Sequence, residues 1–332
     1  MNLRDLGEFG LIRRIASLFS ASLPLGIEGI GNDCAVIPFQ GNLSYLITTD
    51  MLYENIHFIK AKIHPTDLGY KCLAINLSDL AAMGGKPQYA FLSLGLPPET
   101  SLEWVEAFLA GFHQLATQNQ LYLLGGDTIS APDIVINILL MGIAENSHLK
   151  RRSQARPGDI ICCTGYLGDS GAGLRILLEE LPQDSLTAPL VQAHVRPCLY
   201  LEEGAWLTTQ PDVHAMMDIS DGLASDIQRI MEESHCGAHI QVDALPLSAA
   251  LKQACLLYDW QAEELALTAG EDYCLLMTIN PQAFPSLQAA YLQRFQRPLF
   301  PFGTILASPQ LEYTFHGNLF ISQKNGFDHF KS

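Results

Sequence analysis

The chain has 332 residues, 48% of them hydrophobic and 16% charged, and its formal net charge is -16. This length exceeds what one small core needs and favours two domains of about 150 residues each. The charged fraction lies below the ~25% typical of globular proteins, which excludes a disordered chain and indicates extensive burial. The excess of acids disfavours nucleic acid and anionic membranes as partners and favours cations.

The cysteines and the apolar segments predict a cellular compartment. Eight cysteines are scattered without a C-x-x-C pair, which is typical of a reducing environment. The N-terminal stretch "MNLRDLGEFGLIRR" has no signal-peptide pattern, and the longest apolar run, residues 134–144, is interrupted by Asn137 and too short to span a membrane. We therefore expect a soluble, cytoplasmic protein that binds no membrane.

The first half of the chain alternates strand-like and helix-like patterns. A helix is predicted near residues 8–19, then the strand "LSYLITTD", a helix over 71–83, the strand "QYAFLSLGLP" and a helix over 101–118. The strands "LYLLGGDT" and "DIVINILLMGIA" complete this unit. The order predicts an α/β domain.

A polar, basic stretch, "ENSHLKRRSQARPGD", predicts a boundary near residue 147. The second half then restarts with "DIICCTGYLGDSGAGLRILLEEL", a strand, a glycine-rich turn and a helix. We expect two α/β (or, more broadly, α+β) domains, residues 1–147 and 148–332.

One helix carries a carboxylate where burial is expected. In "KCLAINLSDLAAMGGKP", residues 71–87, Asp79 lies mid-helix among apolar side chains. An unpaired buried carboxylate costs several kcal/mol, so Asp79 needs a partner or must face a polar cavity. Two interpretations stay open: Asp79 reaches into a metal-filled cleft, or it forms a buried salt bridge, with Arg152 as one possible partner.

Several other acids follow apolar, strand-like runs. Any one of them is explained as a helix N-cap or turn residue, but jointly they predict converging carboxylates that divalent cations stabilise. Such oxygen ligands suit magnesium, manganese or calcium rather than zinc. These acids are Asp33, Asp50, Asp127, Asp218, Asp221, Glu271 and Asp272.

Magnesium held by many carboxylates commonly accompanies phosphoryl transfer, which indicates a nucleotide substrate. The chain contains neither a G-x-x-x-x-G-K-[ST] loop nor the protein-kinase motifs, which excludes the common ATP-binding folds. The turn "GYLGDSGAG" is compatible with a phosphate cradle at a helix N-terminus and equally with close helix packing.

The joint pattern of "GEFGLI", "GIGNDCAV", "TTD" with "IHF", "NLSDLAAMG", "GGDT", "RPGD", "GDSGAGL", "DISDGLASD", "AGEDY" and "GFDHF" resembles the thiamine-monophosphate kinase family, within the aminoimidazole ribonucleotide synthetase-like superfamily. The resemblance covers Gly7 to Phe330. It implies two-domain subunits whose N-terminal domains pair into a homodimer through a joined β-barrel, with ATP in the cleft. It also implies magnesium-assisted phosphorylation of thiamine monophosphate to thiamine diphosphate.

The resemblance also implies roles for individual residues, none of them a general base. Magnesium ions would be held by Asp33, Thr48, Thr49, Asp50, Asp79, Asp127, Asp218 and Asp221. ATP would contact Gly126, Asp127, Ser220 and Arg152, with Arg151 as the alternative to Arg152. Thiamine monophosphate would contact His57, Glu271 and Phe327.

Three positions depart from the family pattern. Asn32 replaces a first aspartate, Ala269 replaces a glycine, and Phe327 stands where Tyr or Trp is common, which keeps stacking on the substrate ring and removes a hydroxyl contact. Two alternative functions are a selenophosphate synthetase-like enzyme and a non-catalytic nucleotide-binding protein. The former is disfavoured because residues 1–20 contain neither Cys nor Lys.

Overall fold

The computed structural model describes residues 2–322, 326, 329 and 330, and these form two β-sheets flanked by helices. The first sheet has five strands in the order β1-β2-β5-β3-β4. Its neighbours are antiparallel except β3 and β4, which are parallel. The strands are β1 (Ala35–Gln40), β2 (Leu43–Tyr53), β3 (Lys86–Leu96), β4 (Tyr122–Ser130) and β5 (Val135–Glu145).

The edge strand β4 of this sheet differs from its centre. In the central strand β5, buried and half-buried residues alternate, and Ile136, Ile138 and Leu140 are fully buried, as the period-2 apolar pattern predicts. In the edge strand β4 every residue is exposed. A strand with this exposure leaves an unpaired edge and an uncovered face.

Three helices belong to this half of the chain: α1 (Leu3–Phe19), α2 (Pro65–Ala82) and α3 (Leu102–Gln118). Helix α2 begins after His64, whose ring nitrogen accepts from the Thr66 N–H, with Pro65 in the first turn. A Cβ at Gly69 would lie 1.9 Å from the Phe108 carbonyl oxygen. Glycine there is what allows α2 and α3 to pack backbone to backbone.

The second sheet has seven strands in the order β12-β11-β8-β10-β6-β9-β7. Its strands are β6 (Ile160–Cys163), β7 (Val213–Asp218), β8 (Gly237–Gln241), β9 (Leu275–Ile279), β10 (Phe300–Leu306), β11 (Leu311–Phe315) and β12 (Asn318–Leu319). Its helices are α4 (Asp169–Leu178), α5 (Ala188–Val195), α6 (Leu201–Thr208), α7 (Leu223–Ser234), α8 (Ala249–Tyr258), α9 (Ala262–Thr268) and α10 (Phe284–Phe295).

Helix α2 lies between the two halves. One core cluster combines its apolar residues with side chains of α4, α5 and α8, so that core crosses the predicted boundary near residue 147. The two-domain division at that point stays a prediction. None of the helices in the described part of the chain is long and apolar enough to cross a bilayer.

Two details of the sequence prediction were wrong. Asp50 and Asp127 were expected to follow strands, but both lie inside them, because the polar residues around them continue the strand pairing. The run before Glu271 was predicted as strand-like and is helix α9. Asp218, by contrast, ends strand β7 as predicted.

Candidate active site

Most of the predicted site residues line one cavity of about 1010 Å³ between the first sheet and the loops of the second half. The loop before β1, strand β2, helix α2 and the loops after β7 and α9 all contribute to its wall. The predicted residues that line it are Asp33, Thr48, Thr49, Asp50, His57, Asp79, Arg152, Asp218, Ser220, Asp221 and Glu271.

Three carboxylates form the centre of this cavity. One oxygen from each of Asp33, Asp79 and Asp218 lies within 4.8 Å of the others. Thr48 of β2 donates a hydrogen bond to Asp79, and the Ser78 hydroxyl donates to Asp218 Oδ2 at 2.6 Å. The mid-helix aspartate therefore faces a polar cavity, and neighbouring hydroxyls orient the cluster.

Arg152 provides the cationic partner of the cluster, but it pairs with Asp33 and not with Asp79, the partner suggested from the sequence. Its Nη2 donates to Asp33 Oδ1 at 2.5 Å, so the suggested Arg152–Asp79 salt bridge is not formed. The Asn32 side-chain oxygen accepts from the Arg152 backbone N–H at 3.2 Å. Asn32, the departure from the family pattern, thus holds the arginine that reaches the cluster.

The neighbouring arginine is occupied elsewhere. Arg151 makes a two-pronged salt bridge to Glu28, with both N–O distances at 2.6 Å, and does not line the cavity. Since Arg152 lines the cavity, the geometry favours Arg152 over Arg151 as the nucleotide contact.

The electrostatics of the cluster favour the binding of a cation. Burial, followed by the charges of Asp50 and Asp218, raises the pKa of Asp79 well above its ordinary value. Burial and the nearby Asp33 carboxylate raise the pKa of Asp218 to about 7. Burial and Asp221 raise the pKa of Asp50 to about 6. These carboxylates repel one another where water screens them weakly.

The residues present fit a magnesium site. Among the described residues, no group donates to the buried Asp33 Oδ2, which leaves one carboxylate oxygen of the cluster without a partner. The donor set consists of carboxylate and hydroxyl oxygens, which magnesium prefers. The partnerless Asp33 oxygen and the converging carboxylates of Asp79 and Asp218 are therefore suited to hold a magnesium ion.

A second group of polar residues lines the cavity at its Lys71 end, where Lys71 precedes Asp79 on helix α2 by about 12 Å. Glu271 has a left-handed backbone, with φ 56°, and its side chain is 28% exposed. Lys71 Nζ contacts both carboxylate oxygens of Glu271 at 3.1 Å, and His194 Nδ1 lies 3.2 Å from Oε2. His57, also predicted, accepts from the Tyr53 N–H at 3.0 Å through Nδ1.

Gly126 and Asp127 do not reach this cavity within one chain. Both lie on the exposed edge strand β4, where Asp127 accepts from the Thr128 N–H at 2.9 Å. Strands β5 and β3 separate β4 from β2, so about 14 Å separates Asp127 from Thr49 and Asp50 at the usual strand spacing. Phe327 lies outside the described residues.

Sequence reasoning missed several polar residues of this region. The sequence did mark Lys71, because a lysine inside a largely apolar helix is unusual. Nothing in the sequence marked His194. Arg229 also lines the cavity, where it contacts the Asp221 carboxylate and stacks over the Phe9 ring at 4.5 Å. Its position three residues after Asp226 on α7 was visible but not distinctive.

Comparison with known proteins gives consistent matches. Two family models match the chain: AIR synthase related protein, N-terminal domain, over residues 31–144, and its C-terminal domain over residues 156–289. Thiamine-monophosphate kinase of Haemophilus influenzae is 38% identical over 98% of both chains. The Bacillus subtilis protein of the same name is 32% identical over 98% of this chain and all of its own.

Solved structures agree with these relatives. The structure described as AaThiL complexed with AMPPCP and TMP has a TM-score of 0.86 and 31% identity, covering 99% of both chains. Thiamine monophosphate kinase from Aquifex aeolicus has a TM-score of 0.81 and 30% identity, covering 96% of this chain and 99% of its own. The HypE–HypF complex, at 17% identity and a TM-score of 0.74 over 95% of this chain and 99% of its own, shares the fold alone.

Proposed function

The chain belongs to the thiamine-monophosphate kinase family, and on that premise we propose that it transfers the γ-phosphoryl group of ATP to thiamine monophosphate. The bond between the β,γ-bridging oxygen and the γ-phosphorus breaks, and a bond forms to a phosphate oxygen of the acceptor. The products are ADP and thiamine diphosphate. The observation that carries the proposal is the carboxylate cluster of Asp33, Asp79 and Asp218 inside a cavity large enough for both substrates.

The acidic end of the cavity would hold magnesium and the phosphates. Magnesium, when bound, neutralises phosphate charge and the charge that develops during transfer. Arg152 and Ser220, which line the same region, would contact the ATP phosphates. The residues that would hold the ions within one chain are Asp33, Thr48, Thr49, Asp50, Asp79, Asp218 and Asp221.

The reaction needs no general base from the protein. The second pKa of a phosphate monoester is about 6, so the acceptor oxygen is largely ionised at neutral pH. The residues of the chain then have to hold the two phosphates in line and exclude water. Carboxylates in the cavity wall suit a mechanism in which bound cations hold the phosphates, and this mechanism needs no histidine base.

The opposite end of the cavity would bind the thiamine moiety. His57 and Glu271 line this end, and a carboxylate there suits a ligand with a cationic ring and an amino group. Phe327, predicted to contact the same ligand, lies outside the described residues and stays a prediction. The roles given to the other site residues are also predictions.

Pairing of two subunits would complete the site. The first sheet is open in the described residues, and edge strand β4 exposes Tyr122, Leu124 and Ile129 by 64%, 56% and 59%. A homodimer joined through this strand, as in the predicted β-barrel, would cover these side chains. It would also bring Gly126 and Asp127 towards the other subunit's cavity, which supports a role for them there.

The compartment and the domain division are also proposals. None of the eight cysteines, all of which lie among the described residues, forms a disulfide, and seven of them are buried. This supports location of the protein in a reducing cytoplasm. The two sheets lie in separate stretches of chain, which supports division near residue 147.

The function is tested by incubating purified protein with ATP, magnesium and thiamine monophosphate and separating the products. Thiamine diphosphate and ADP in equal amounts are expected, with none in the metal-free control or with thiamine in place of its monophosphate. ATP binding without product from any tested acceptor would instead indicate a non-catalytic nucleotide-binding protein. Product from selenide and ATP would indicate the selenophosphate synthetase-like alternative.

A further inference from the structure

Lys71 is a fully buried lysine, 0% exposed, on helix α2. A charged ammonium is rarely buried without paired acceptors, because removing it from water is costly. Its two acceptors here are the Glu271 carboxylate, at 3.1 Å from both oxygens, and His194 Nε2, at 3.4 Å. Both acceptors come from the second half of the chain, so the lysine joins the two halves behind the cavity.

The hydrogen-bond directions in this group follow from its chemistry. Lys71 can only donate, so His194 Nε2 accepts, and the histidine proton lies on Nδ1. Nδ1 faces Glu271 Oε2 at 3.2 Å and the Ser170 hydroxyl at 3.1 Å. Burial, followed by the Lys71 charge, lowers the pKa of His194 to about 4, so the ring is neutral. Lys71 is therefore the cation that balances Glu271.

The carboxylate lies between the lysine and the cavity. Glu271 lines the cavity with a side chain 28% exposed, whereas the Lys71 side chain is 1% exposed and is not part of the lining. Lys71 thus acts on a ligand through the residues that line the cavity in front of it, chiefly Glu271 and also His194. Burial raises the pKa of Glu271, but the Lys71 charge and the hydrogen bond from Lys71 act against burial, and the net shift is downward.

The two ends of the cavity are fixed by one helix. Lys71 and Asp79 both lie on α2, eight residues apart, and the helical rise places them about 12 Å apart along its axis. The carboxylate at the Lys71 end is neutralised by that lysine, whereas the three carboxylates at the Asp79 end share one cationic partner, Arg152. A neutralised carboxylate competes weakly for a divalent ion and remains available to an organic ligand.

We propose that Lys71 is a positioning residue that holds Glu271 ionised and aimed into the cavity, keeping it for the thiamine moiety and out of the metal cluster. The inference rests on the proposed function. It concerns affinity for thiamine monophosphate and not the transfer of the phosphoryl group, because the ammonium touches neither the phosphate end nor the metal cluster.

The test compares Lys71→Met, Lys71→Arg, Glu271→Gln and the Lys71→Met/Glu271→Gln double variant by steady-state kinetics. Lys71→Met should raise KM for thiamine monophosphate about tenfold or more, with KM for ATP within about twofold, since a directed carboxylate contact is lost. Lys71→Arg should restore part of the affinity because it keeps the charge. In the Glu271→Gln background, Lys71→Met should add little, since the two residues act as a unit.

Lys150→Met is the matched control. Lys150 is also buried, and its ammonium donates to the Gln210 carbonyl oxygen at 2.8 Å, outside the cavity lining. Replacing Lys150 should leave the ratio of KM for thiamine monophosphate to KM for ATP unchanged. An unchanged KM for thiamine monophosphate in Lys71→Met, equal rises for both substrates, or a full additional loss in the double variant would overturn the proposal.

A structural readout separates this inference from the proposed function. If the wild type makes no thiamine diphosphate, the proposed function has failed, and crystal structures of Lys71→Met and Lys71→Arg decide the positioning role. The Glu271 carboxylate should leave the cavity wall in Lys71→Met and return to it in Lys71→Arg. A carboxylate that keeps its position in Lys71→Met would show that the lysine does not place it.

Discussion

The Glu271 backbone N–H donates to the Ser220 carbonyl oxygen at 2.7 Å, which ties the loop after α9 to the loop after β7. A second bond, from the Tyr273 N–H to the Ile219 carbonyl oxygen at 2.8 Å, makes the two loops one unit. One loop carries the residue expected to contact thiamine, and the other carries Asp218 and Asp221. The spacing between the two ends of the cavity is therefore fixed by backbone hydrogen bonds as well as by helix α2.

Replacing Asp79 with Asn should abolish turnover without unfolding the protein. The amide keeps the shape and can still accept from Thr48, but it removes a negative charge from a cluster whose members repel one another. We expect kcat to fall by at least about 100-fold, and the melting temperature in metal-free buffer to stay the same or rise. Asp259→Asn, at an exposed helix end with a left-handed backbone, is the control. Near-normal turnover in Asp79→Asn would contradict the metal-holding role.

Replacing Arg152 and replacing Arg151 should have very different effects on KM for ATP. Arg152→Gln removes the cation beside Asp33, whereas Arg151→Gln removes a half-exposed salt bridge to Glu28. We expect KM for ATP to rise about tenfold or more in Arg152→Gln and less than about twofold in Arg151→Gln. Steady-state kinetics at fixed magnesium and thiamine monophosphate measure both. The reverse order would show that Arg151 makes the nucleotide contact.

Mixing two inactive variants should restore activity if Asp127 acts in the partner's site. Asp50→Asn and Asp127→Asn should each be inactive as pure homodimers. After subunit exchange at equal amounts, half of the dimers are mixed, and each mixed dimer has one intact site, giving about a quarter of wild-type activity. Analytical ultracentrifugation checks the dimer. Activity that stays absent after verified exchange would place Asp127 in its own chain's site, and an active Asp127→Asn homodimer would place it outside any site.

The buried histidine predicts a specific loss of stability in acid. Burial, followed by the Lys71 charge, lowers the pKa of His194 from its ordinary 6.5 to about 4, against the opposing Glu271 charge. The folded state then binds fewer protons than the unfolded state between these pH values. The contribution is fully present above about pH 6.5 and is lost as the pH falls towards 4.

Urea unfolding at several pH values measures this effect against His194→Gln. The groups that face the ring are Lys71, Glu271 and the Ser170 hydroxyl, all retained in the variant. The stability of the wild type relative to His194→Gln should fall by roughly 2–3 kcal/mol between pH 7 and pH 4. Parallel pH profiles of the two proteins would contradict the assignment of a neutral, buried ring.

The sequence by itself predicted a set of site residues, most of which line the cavity. A carboxylate in the middle of an apolar helix needed a buried partner or a polar cavity, because burying it unpaired costs too much free energy, and Asp79 lines the cavity. The helical pattern over 101–118 became α3, since its apolar residues repeat with the period of a helix. Patterns of this kind depend on residues that are close in sequence, so they can be recognised without knowledge of the fold.

Only the tertiary structure decided which groups meet. Arg152 pairs with Asp33 rather than Asp79, and Lys71 finds Glu271 two hundred residues along the chain. The order of strands places Asp127 three strand positions away from Asp50, on an edge that a second subunit is proposed to cover. Pairing across such distances is set by strand order, helix crossing and loop closure, which no local pattern of residues encodes.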